Sequence, residues 1–351
     1  MQCGEDEALT AESNGEIFYF CSEGCREKFL QELEFRTTKT AYDLVIIGGG
    51  PAGLTAAIYA STLKMNALLI TKDLGGQAVD STKIENYMGY DFITGPELIK
   101  KFRGQLLRSR YIDHLINEVE KIEPAENGFE VITSELNRYR ASALLIATGM
   151  TRRKLNLPGE EKLQRRGIFY GNIQDFSFME GEDVVVIGGG NSALQIAEDL
   201  AAVSGHIRLV SDFPLSADPV IIERVRSNQR ISVYEEYKPF EFRGEGSLKE
   251  VAVRKRAEEE TIALPAKGAF IAIGFQPNSS LVSGLVDLNS QGEIRINADC
   301  STSRTGIFAA GDVTDAFGKR IIIACGEGAK AVMAAKQYLS ISEKMNREAL
   351  R

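Results

Sequence analysis

The stretch AYDLVIIGGGPAGLTAAIYASTL, residues 41–63, joins a β-branched apolar run to a glycine-rich turn and then to a helical pattern. The spacing Gly48-x-Gly50-x-x-Gly53 follows the predicted strand directly, and a helix is predicted over 54–63. In this pattern the first glycine permits the turn, the second lets a pyrophosphate approach the backbone, and the third lets helix and strand pack closely. The helix N-terminus faces the phosphates, so the stretch predicts a dinucleotide-binding βαβ unit. A second strand is predicted at 67–71, and a long Ala-rich helix is predicted at 326–339.

A second copy of this pattern, DVVVIGGGNSA, occupies residues 183–193, about 140 residues further along the chain. Its third glycine position holds Ala193, which the fingerprint allows. The residues expected to bind a nucleotide here are Gly188, Gly190, Asn191, Ser192 and Ala193. Two fingerprints predict two bound dinucleotides, with a hydride or electrons passing from one to the other. This is the arrangement of a flavoprotein that a nicotinamide nucleotide reduces.

Composition limits the class of protein. The chain has 351 residues, of which 44% are hydrophobic and 26% charged, with a formal net charge of −8. At roughly 150 residues per domain this predicts two or three globular domains. The acidic balance argues against nucleic acid and anionic membranes as partners. The first residues show no signal-peptide pattern, and no run approaches the ~20 apolar residues of a membrane helix, so a cytoplasmic protein is expected.

Further short motifs carry a resemblance to a known family. They are Gly75-Gly76-Gln77, Glu85-Asn86-Tyr87, Gly89, Thr94-Gly95-Pro96, Ala147-Thr148-Gly149 and Gly311-Asp312. With the two fingerprints, they make residues 41–351 resemble the low-molecular-weight thioredoxin reductases, class II pyridine nucleotide-disulfide oxidoreductases. The resemblance implies an α/β fold with two Rossmann-like dinucleotide-binding domains. It also implies a homodimer built on the FAD domains.

The same resemblance implies how the domains and the FAD site are arranged. The FAD-binding domain is expected to be discontinuous, at 41–153 and 275–351, with the NAD(H)-binding domain inserted at 154–274. Asp312 is expected to take a ribityl hydroxyl, and the start of the last helix to face the flavin ring. The residues assigned to cofactor binding in this way are Gly48, Gly50, Pro51, Ala52, Gly53, Gly76, Gln77, Asn86, Ala147, Thr148, Gly149, Gly311, Asp312, Ile321 and Ile322. Gly274, which ends the predicted strand at 269–274, is a further cofactor-binding candidate.

The chain departs from this family at the redox-active dithiol. Thioredoxin reductases carry Cys-x-x-Cys-Asp before the second fingerprint, whereas this chain has Gly171-Asn172-Ile173-Gln174-Asp175 in that slot. Asp175 is retained as a catalytic candidate. Glycine and amide side chains form neither a thiolate nor a mixed disulfide, so thioredoxin reduction by the family mechanism is not expected. Cys325 is a second catalytic candidate, because a helix N-terminus lowers a thiol pKa; the alternative is a small packed residue near the flavin.

A second departure concerns the choice of nicotinamide nucleotide. NADPH-using relatives place a cluster of arginines after the second strand of the nicotinamide domain. This chain instead has Ser211 to Ala217, with Asp212 at the start, while Arg208 lies within the strand. An acidic residue here would accept hydrogen bonds from ribose hydroxyls and repel a phosphate, which predicts NADH over NADPH. Two alternatives stay open: Asp212 caps a turn, or the domain binds no nicotinamide and electrons come from a protein such as ferredoxin.

Cys3, Cys21 and Cys25 form a separate cluster within residues 1–38. The stretch from Ile17 to Phe29 resembles the small metal-binding modules called TRASH or YHS domains. Three thiolates suit zinc or copper(I) as ligands. So short a segment has too small a hydrophobic core to fold alone, and a bound metal ion would stabilise it. The alternatives are a redox pair of Cys21 with Cys25, or a vestigial module.

The leading hypothesis is an FAD-dependent oxidoreductase that takes hydride from NADH, without the family dithiol. The acceptor is open and includes a redox protein, a quinone, oxygen or a metal ion. Two other hypotheses remain. One is electron transfer of the ferredoxin/flavodoxin–NAD(P) reductase kind, and the other is a flavin-containing metal or redox sensor with little turnover.

Overall fold

The computed structural model describes residues 9–13, 16–20, 22–24, 39–81, 83–109, 111–171, 176–256 and 261–349. The proposed metal ligands Cys3, Cys21 and Cys25 and the catalytic candidate Asp175 lie outside these residues. The chain divides into two compact units. Unit 1 is Met1–Thr151 with Pro277–Arg351, and unit 2 is Arg152–Gln276. The resemblance implies an inserted domain at 154–274.

The strands of the described residues are β1 (Leu9–Ser13), β2 (Glu16–Phe20), β3 (Ala41–Ile47), β4 (Ala67–Thr71), β5 (Ile112–Ile116), β6 (Val119–Ala125), β7 (Gly128–Thr133), β8 (Arg138–Ile146), β9 (Met150–Arg152), β10 (Ile168–Tyr170), β11 (Val184–Ile187), β12 (Ile207–Ser211), β13 (Ile231–Glu235), β14 (Tyr237–Arg243), β15 (Glu250–Lys255), β16 (Thr261–Pro265), β17 (Gly268–Ile271), β18 (Phe275–Pro277) and β19 (Ile307–Ala309). The α-helices are α1 (Pro51–Thr62), α2 (Gly95–Leu107), α3 (Glu160–Leu163), α4 (Asn191–Ala201), α5 (Pro219–Ser227) and α6 (Ile321–Ala349). Short 3₁₀ turns occur at Gly76–Asp80, Ser177–Met179 and Ser280–Val282.

Unit 1 is built around a sheet whose central strand is β3. It pairs in parallel with β4 on one side and β8 on the other, and β5 lies beyond β4. The far side of β8 pairs antiparallel with β7 through its first residues and parallel with β19 through its last. Strand β8 therefore belongs both to an antiparallel meander and to the parallel sheet.

Both faces of this sheet are covered, which explains the nearly continuous apolar run of β3. Leu44 and Ile46 face one core, which includes residues of α1 and α6. Val45 and Ile47 face the other, which includes residues of the β6–β7–β8 meander. Helix α6 approaches α1 so closely that only glycine fits at position 328. A Cβ on Gly328 would lie 2.1 Å from the Ala52 carbonyl oxygen.

Unit 2 repeats this plan. A parallel sheet has the order β10-β17-β11-β12-β13, and a separate antiparallel sheet has the order β14-β15-β16. Val184 and Val186 face a core that includes residues of α4 and α5. Val185 and Ile187 face a core that includes residues of the antiparallel sheet. Each unit is thus a parallel sheet with helices on one face and an antiparallel meander on the other.

Before β3, β1 and β2 form an antiparallel hairpin. Within the part of the chain that the structure describes, no helix combines the length and the apolar character needed to cross a bilayer.

The sequence predicted these elements to different degrees. The strands expected at 41–47 and 67–71 are confirmed as β3 and β4 with the same limits. The last helix was wrongly predicted to span 326–339, because it runs from Ile321 to Ala349. The run Ile321-Ile322-Ile323 is β-branched and disfavours helix locally, but packing of α6 against α1 outweighs that small propensity.

Candidate functional site

The turns that carry the predicted FAD residues meet at one edge of the unit 1 sheet. Ile146, the last residue of β8, is in register with Ile47 of β3 and with Ala309 of β19. The chain leaves these strands at Gly48, at Ala147 and towards Gly311. Carboxyl ends of parallel strands are where open α/β sheets bind ligands, so the topology brings the predicted residues to a suitable place.

The three glycines of the first fingerprint have different steric surroundings. Gly48 has a φ of +114°, and a Cβ there would lie 2.3 Å from the Ala147 carbonyl oxygen. A Cβ on Gly53 would lie 1.8 Å from the Gly48 carbonyl oxygen. Gly50 is different, because its φ is −72° and a Cβ there would meet nothing within 4 Å. The protein itself does not need glycine at position 50, and the open space fits a group held at the N-terminus of α1.

The Ala147–Gly149 turn is fixed by a residue that the sequence analysis missed. The Asn278 side-chain amide donates to the Thr148 carbonyl oxygen at 2.8 Å, and the Thr148 hydroxyl donates to the Asn278 carbonyl oxygen at 2.7 Å. The backbone N–H of Asn278 also donates to the Gly149 carbonyl oxygen, at 2.9 Å. Only the folded chain brings position 278 to this turn, so no local pattern signals it.

The remaining predicted FAD residues of this half of the chain lie close to the same edge or on a nearby loop. A Cβ on Gly76 would be 3.3 Å from the Gly50 Cα. The Gln77 side-chain amide donates to the Met150 carbonyl oxygen. Asn86 is exposed on the loop that the Ile84–Ile93 bridge closes. Pro51 takes the first position of α1, where its missing N–H costs nothing, and Ala52 is buried.

Asp312 and the start of α6 contribute acidic groups to this edge. Burial raises the pKa of Asp312, with Lys319 and Arg320 opposing that shift.

Glu327, which the sequence analysis missed, is a buried carboxylate on α6 that accepts a hydrogen bond from the Gly311 backbone N–H at 2.7 Å. Burial also raises the pKa of Glu327, although the bond from Gly311 opposes the shift. Glu327 thus ties the last helix to the residue that precedes Asp312. Ile321 is half-buried and Ile322 is exposed in the first turn of α6.

Glu327→Ala is expected to weaken FAD retention about tenfold or more, because the buried Gly311 N–H loses its charged acceptor and the Asp312 turn loosens. Glu327→Gln keeps an acceptor oxygen and should retain most of the FAD. The measurement is flavin fluorescence released from purified protein on dilution, with thermal melting as a control for folding. Equal FAD loss in both variants would contradict a role for this hydrogen bond.

Cys325 does not have the environment expected for a reactive thiol. It lies one turn inside α6 and is 7% exposed, with its sulfur 3.8 Å from the Pro51 carbonyl oxygen and 3.9 Å from the Tyr87 hydroxyl. Burial raises its pKa, against the lowering expected from a helix N-terminus. Cys300 is fully buried, and burial raises its pKa to about 11. Burial therefore favours the protonated form of both thiols.

Unit 2 presents a comparable edge. Ile187 of β11 is in register with Val210 of β12 and Ile271 of β17. A Cβ on Gly188 would lie 2.4 Å from the Ala272 carbonyl oxygen, whereas Gly190 has a φ of −94° and open space around its would-be Cβ. The other predicted residues flank this turn, with Asn191 and Ser192 exposed, Ala193 buried, and Gly274 at a φ of +86° beyond β17.

The loop after β12 packs against this second fingerprint. The Ser216 N–H donates to the Gly189 carbonyl oxygen at 2.8 Å. The Asn191 side-chain amide donates to the Asp218 carboxylate at 3.1 Å, and the Asp218 N–H donates back to the Asn191 side-chain oxygen at 2.7 Å. Asp212 therefore starts a loop that is held beside the turn, but it pairs with Arg256, a partner that the sequence did not indicate.

Arg208 lies within β12, as the sequence analysis placed it. Its guanidinium donates to the Asp183 carboxylate at 3.0 Å and to the Pro265 carbonyl oxygen at 2.9 Å. Asp183 precedes β11, at the opposite end of the strands from Gly188. The Arg208 guanidinium is thus hydrogen-bonded at the end of the sheet opposite to the second fingerprint.

Two parallel sheets, each with a glycine turn that leaves open space at a helix N-terminus, define an α/β oxidoreductase of the two-dinucleotide kind. The chain belongs to the pyridine nucleotide-disulphide oxidoreductase family, whose model matches residues 42–337. Its fold is that of the thioredoxin reductases. Thioredoxin reductase of Lactococcus lactis in its FR conformation superposes with a TM-score of 0.69 and 32% identity, over 85% of this chain and 99% of that one. Thioredoxin reductase of T. acidophilum gives a TM-score of 0.66 and 28% identity, over 87% and 99%.

Curated relatives carry other names. The F component of the alkyl hydroperoxide reductase of Pseudomonas aeruginosa is 34% identical over 340 residues, which are 93% of this chain and 65% of that protein. NADH dehydrogenase of Ferdinandcohnia aciditolerans is 32% identical over 305 residues, which are 86% of this chain and 58% of that protein. The chain therefore spans less than two thirds of the length of these relatives.

Proposed function

We propose that this chain is an FAD-dependent reductase that takes hydride from NADH and passes the electrons to an acceptor other than a thioredoxin-type dithiol. The observation that carries the proposal is the pair of open middle glycines, Gly50 and Gly190, whose backbones do not themselves require glycine. Each lies at a helix N-terminus on the carboxyl edge of a parallel sheet. Family membership supports FAD and a nicotinamide nucleotide as the two ligands.

In this proposal unit 1 holds FAD and unit 2 holds the nicotinamide nucleotide. The first turns of α1 and α4 receive the two pyrophosphates through backbone N–H groups and the positive end of each helix. Asp312 accepts a hydrogen bond from a ribityl hydroxyl, and Glu327 and Asn278 hold the turns around it. When bound, FAD supplies a two-electron acceptor for the hydride and a route to the next acceptor.

NADH is proposed over NADPH on three grounds. Asp212 stands at the end of β12, where an acidic residue suits ribose hydroxyls and repels a phosphate. Arg208, a cation close by in sequence, is paired with Asp183 at the other end of the strands. The relationship to a protein named NADH dehydrogenase supports the same choice.

The acceptor is proposed to take electrons directly from the flavin. Residues 171–175 contain no cysteine, and Cys300 and Cys325 are buried thiols with raised pKa values. A thiol that stays protonated is a poor nucleophile for disulfide exchange. The remaining acceptor classes are a quinone, oxygen, a metal ion and a one-electron carrier protein.

Anaerobic mixing of the purified yellow protein with NADH, and separately with NADPH, tests this proposal. Bleaching of the flavin absorbance within seconds by NADH, at least about tenfold faster than by NADPH at equal concentration, is expected. Faster bleaching by NADPH would reverse the nucleotide choice and favour a ferredoxin-reductase type of function. If neither nucleotide bleaches the flavin, a protein electron donor or a sensor replaces the proposal.

The N-terminal cysteines and the homodimer stay predictions. The proposed zinc or copper(I) ligands are Cys3, Cys21 and Cys25, and strand β2 ends at Phe20, one position before Cys21 in the sequence. Metal analysis of the purified chain beside a Cys21→Ser/Cys25→Ser variant tests the metal site. Turnover of that variant with thiol acceptors tests the alternative redox pair.

A further inference from the structure

An arginine from the antiparallel sheet of unit 2 reaches the end of β12. Arg256 follows β15 directly, and its backbone N–H donates to the Glu236 carbonyl oxygen at 2.8 Å. Its side-chain Nε donates to the Asp212 carboxylate at 2.9 Å. Its guanidinium carbon lies 4.1 Å from the centroid of the Phe213 ring. The guanidinium is therefore held in one place by a carboxylate, an aromatic face and a fixed backbone.

This arrangement is open to solvent and to a ligand. The Arg256 side chain is 49% exposed and that of Asp212 is 30% exposed. An exposed ion pair contributes little to stability, so structural support alone gives a weak reason for its presence. The loop that Asp212 starts is hydrogen-bonded to Gly189 and Asn191 of the second fingerprint. The pair thus stands beside the turn where the adenosine half of a dinucleotide would bind.

A guanidinium has five N–H donors, and the bond to Asp212 uses one of them. It matches a phosphate as well as a carboxylate, because both offer two oxygens to its planar fork. While Asp212 is present, its negative charge neutralises Arg256 and repels a phosphate. Without that carboxylate, a fixed cation would remain at the same place.

We propose that Arg256 is a specificity-determining residue for the nucleotide, a phosphate-binding cation that Asp212 keeps occupied so that the site accepts a ribose 2′-hydroxyl and rejects a 2′-phosphate. This inference rests on the proposed function in one respect, that unit 2 binds a nicotinamide dinucleotide. It predicts that a single substitution at Asp212 reverses the preference, and that the reversal requires Arg256.

Equilibrium binding of 5′-AMP and of adenosine 2′,5′-bisphosphate, measured by titration calorimetry on the FAD-loaded full chain, tests the inference without any turnover. The wild type is expected to prefer 5′-AMP. Asp212→Ala should bind the bisphosphate about tenfold to one hundredfold more tightly than the wild type does, as one charge-assisted contact allows. In the Asp212→Ala/Arg256→Ala double variant this gain should disappear.

Asp183→Ala is the matched control, because it also releases an arginine, Arg208, from its carboxylate partner in the same sheet, but at the opposite ends of the strands. It should leave the affinity for both compounds unchanged, and melting curves verify folding of every variant. A gain that persists in the double variant, or that also arises in Asp183→Ala, overturns the inference. So does Asp212→Ala binding 5′-AMP but gaining nothing for the bisphosphate.

The outcomes separate this inference from the proposed function. If Asp212→Ala gains affinity through Arg256 but neither NADH nor NADPH reduces the flavin, the inference holds and the proposed reductase activity fails. If neither compound binds to the wild type or to Asp212→Ala, the inference is overturned, and bleaching of the flavin by NADH decides the proposed function separately. If both hold, Asp212→Ala should also accept NADPH with a KM lowered by the same factor and with kcat little changed.

Discussion

The Gly190→Val variant is expected to keep its FAD but to lose reduction by NADH, with at least about a 100-fold rise in the nucleotide concentration required. Gly190 precedes α4, whose first backbone N–H groups would hold the proposed pyrophosphate. A valine side chain would displace the phosphates from the backbone N–H groups. Loss of two charge-assisted hydrogen bonds, each worth about 1.5–3 kcal/mol, is sufficient for an effect of that size.

The protein alone offers little resistance to this substitution. Gly190 has a φ of −94°, which any residue adopts, and a Cβ there meets nothing within 4 Å. Valine is a poorer N-cap than glycine, so a loss of about 1 kcal/mol in stability is expected, too little to unfold the unit. Stopped-flow absorbance of the flavin measures the effect, and the bound FAD is an internal control for folding.

Gly50→Val is the counterpart in unit 1, where φ is −72° and the space around a Cβ is also open. It is expected to give a folded but colourless protein. If Gly50→Val retained its FAD, or if Gly190→Val were reduced by NADH at the wild-type rate, the placement of that dinucleotide would be wrong.

The Gly53→Ala variant is expected to lose at least about 3 kcal/mol in the free energy of unfolding of unit 1. A Cβ on Gly53 would lie 1.8 Å from the Gly48 carbonyl oxygen and 2.9 Å from its carbonyl carbon, so α1 would have to move away from the turn. Alanine is the better helix former by about 1 kcal/mol, but this gain is smaller than the cost of the clash. Denaturant unfolding followed by far-ultraviolet circular dichroism measures the loss.

Gly104→Ala is the control for helix propensity. Gly104 lies inside α2, and a Cβ there would meet only the tip of the Arg108 side chain, at 3.3 Å, which can move. This variant should be as stable as the wild type or more stable by up to about 1 kcal/mol. Similar losses in both variants would show that the close approach of Gly53 to Gly48 does not decide stability.

The local patterns of the sequence determined both fingerprints and the strands around them. A β-branched apolar run, a glycine turn and a helical run are set by residues close in the chain, so β3, β4 and the presence of a helix after the turn were predictable. The helix itself begins at Pro51, three residues before the predicted start at Leu54. The same patterns identified Gly50 and Gly190 as candidates for ligand binding. The extent of α6 was not predictable, because its first residues are β-branched and its helical state depends on packing against α1.

Only the tertiary structure decided which residues support the candidate sites. Asn278 reaches the Thr148 turn across 130 residues of sequence, Glu327 meets Gly311, and Arg256 meets Asp212. None of these partners has a local signature, because their pairing depends on register between strands and on how closely helices approach. The pKa of the Cys325 thiol also depends on the tertiary structure. A position near a helix N-terminus would lower this pKa, but burial in the folded chain raises it.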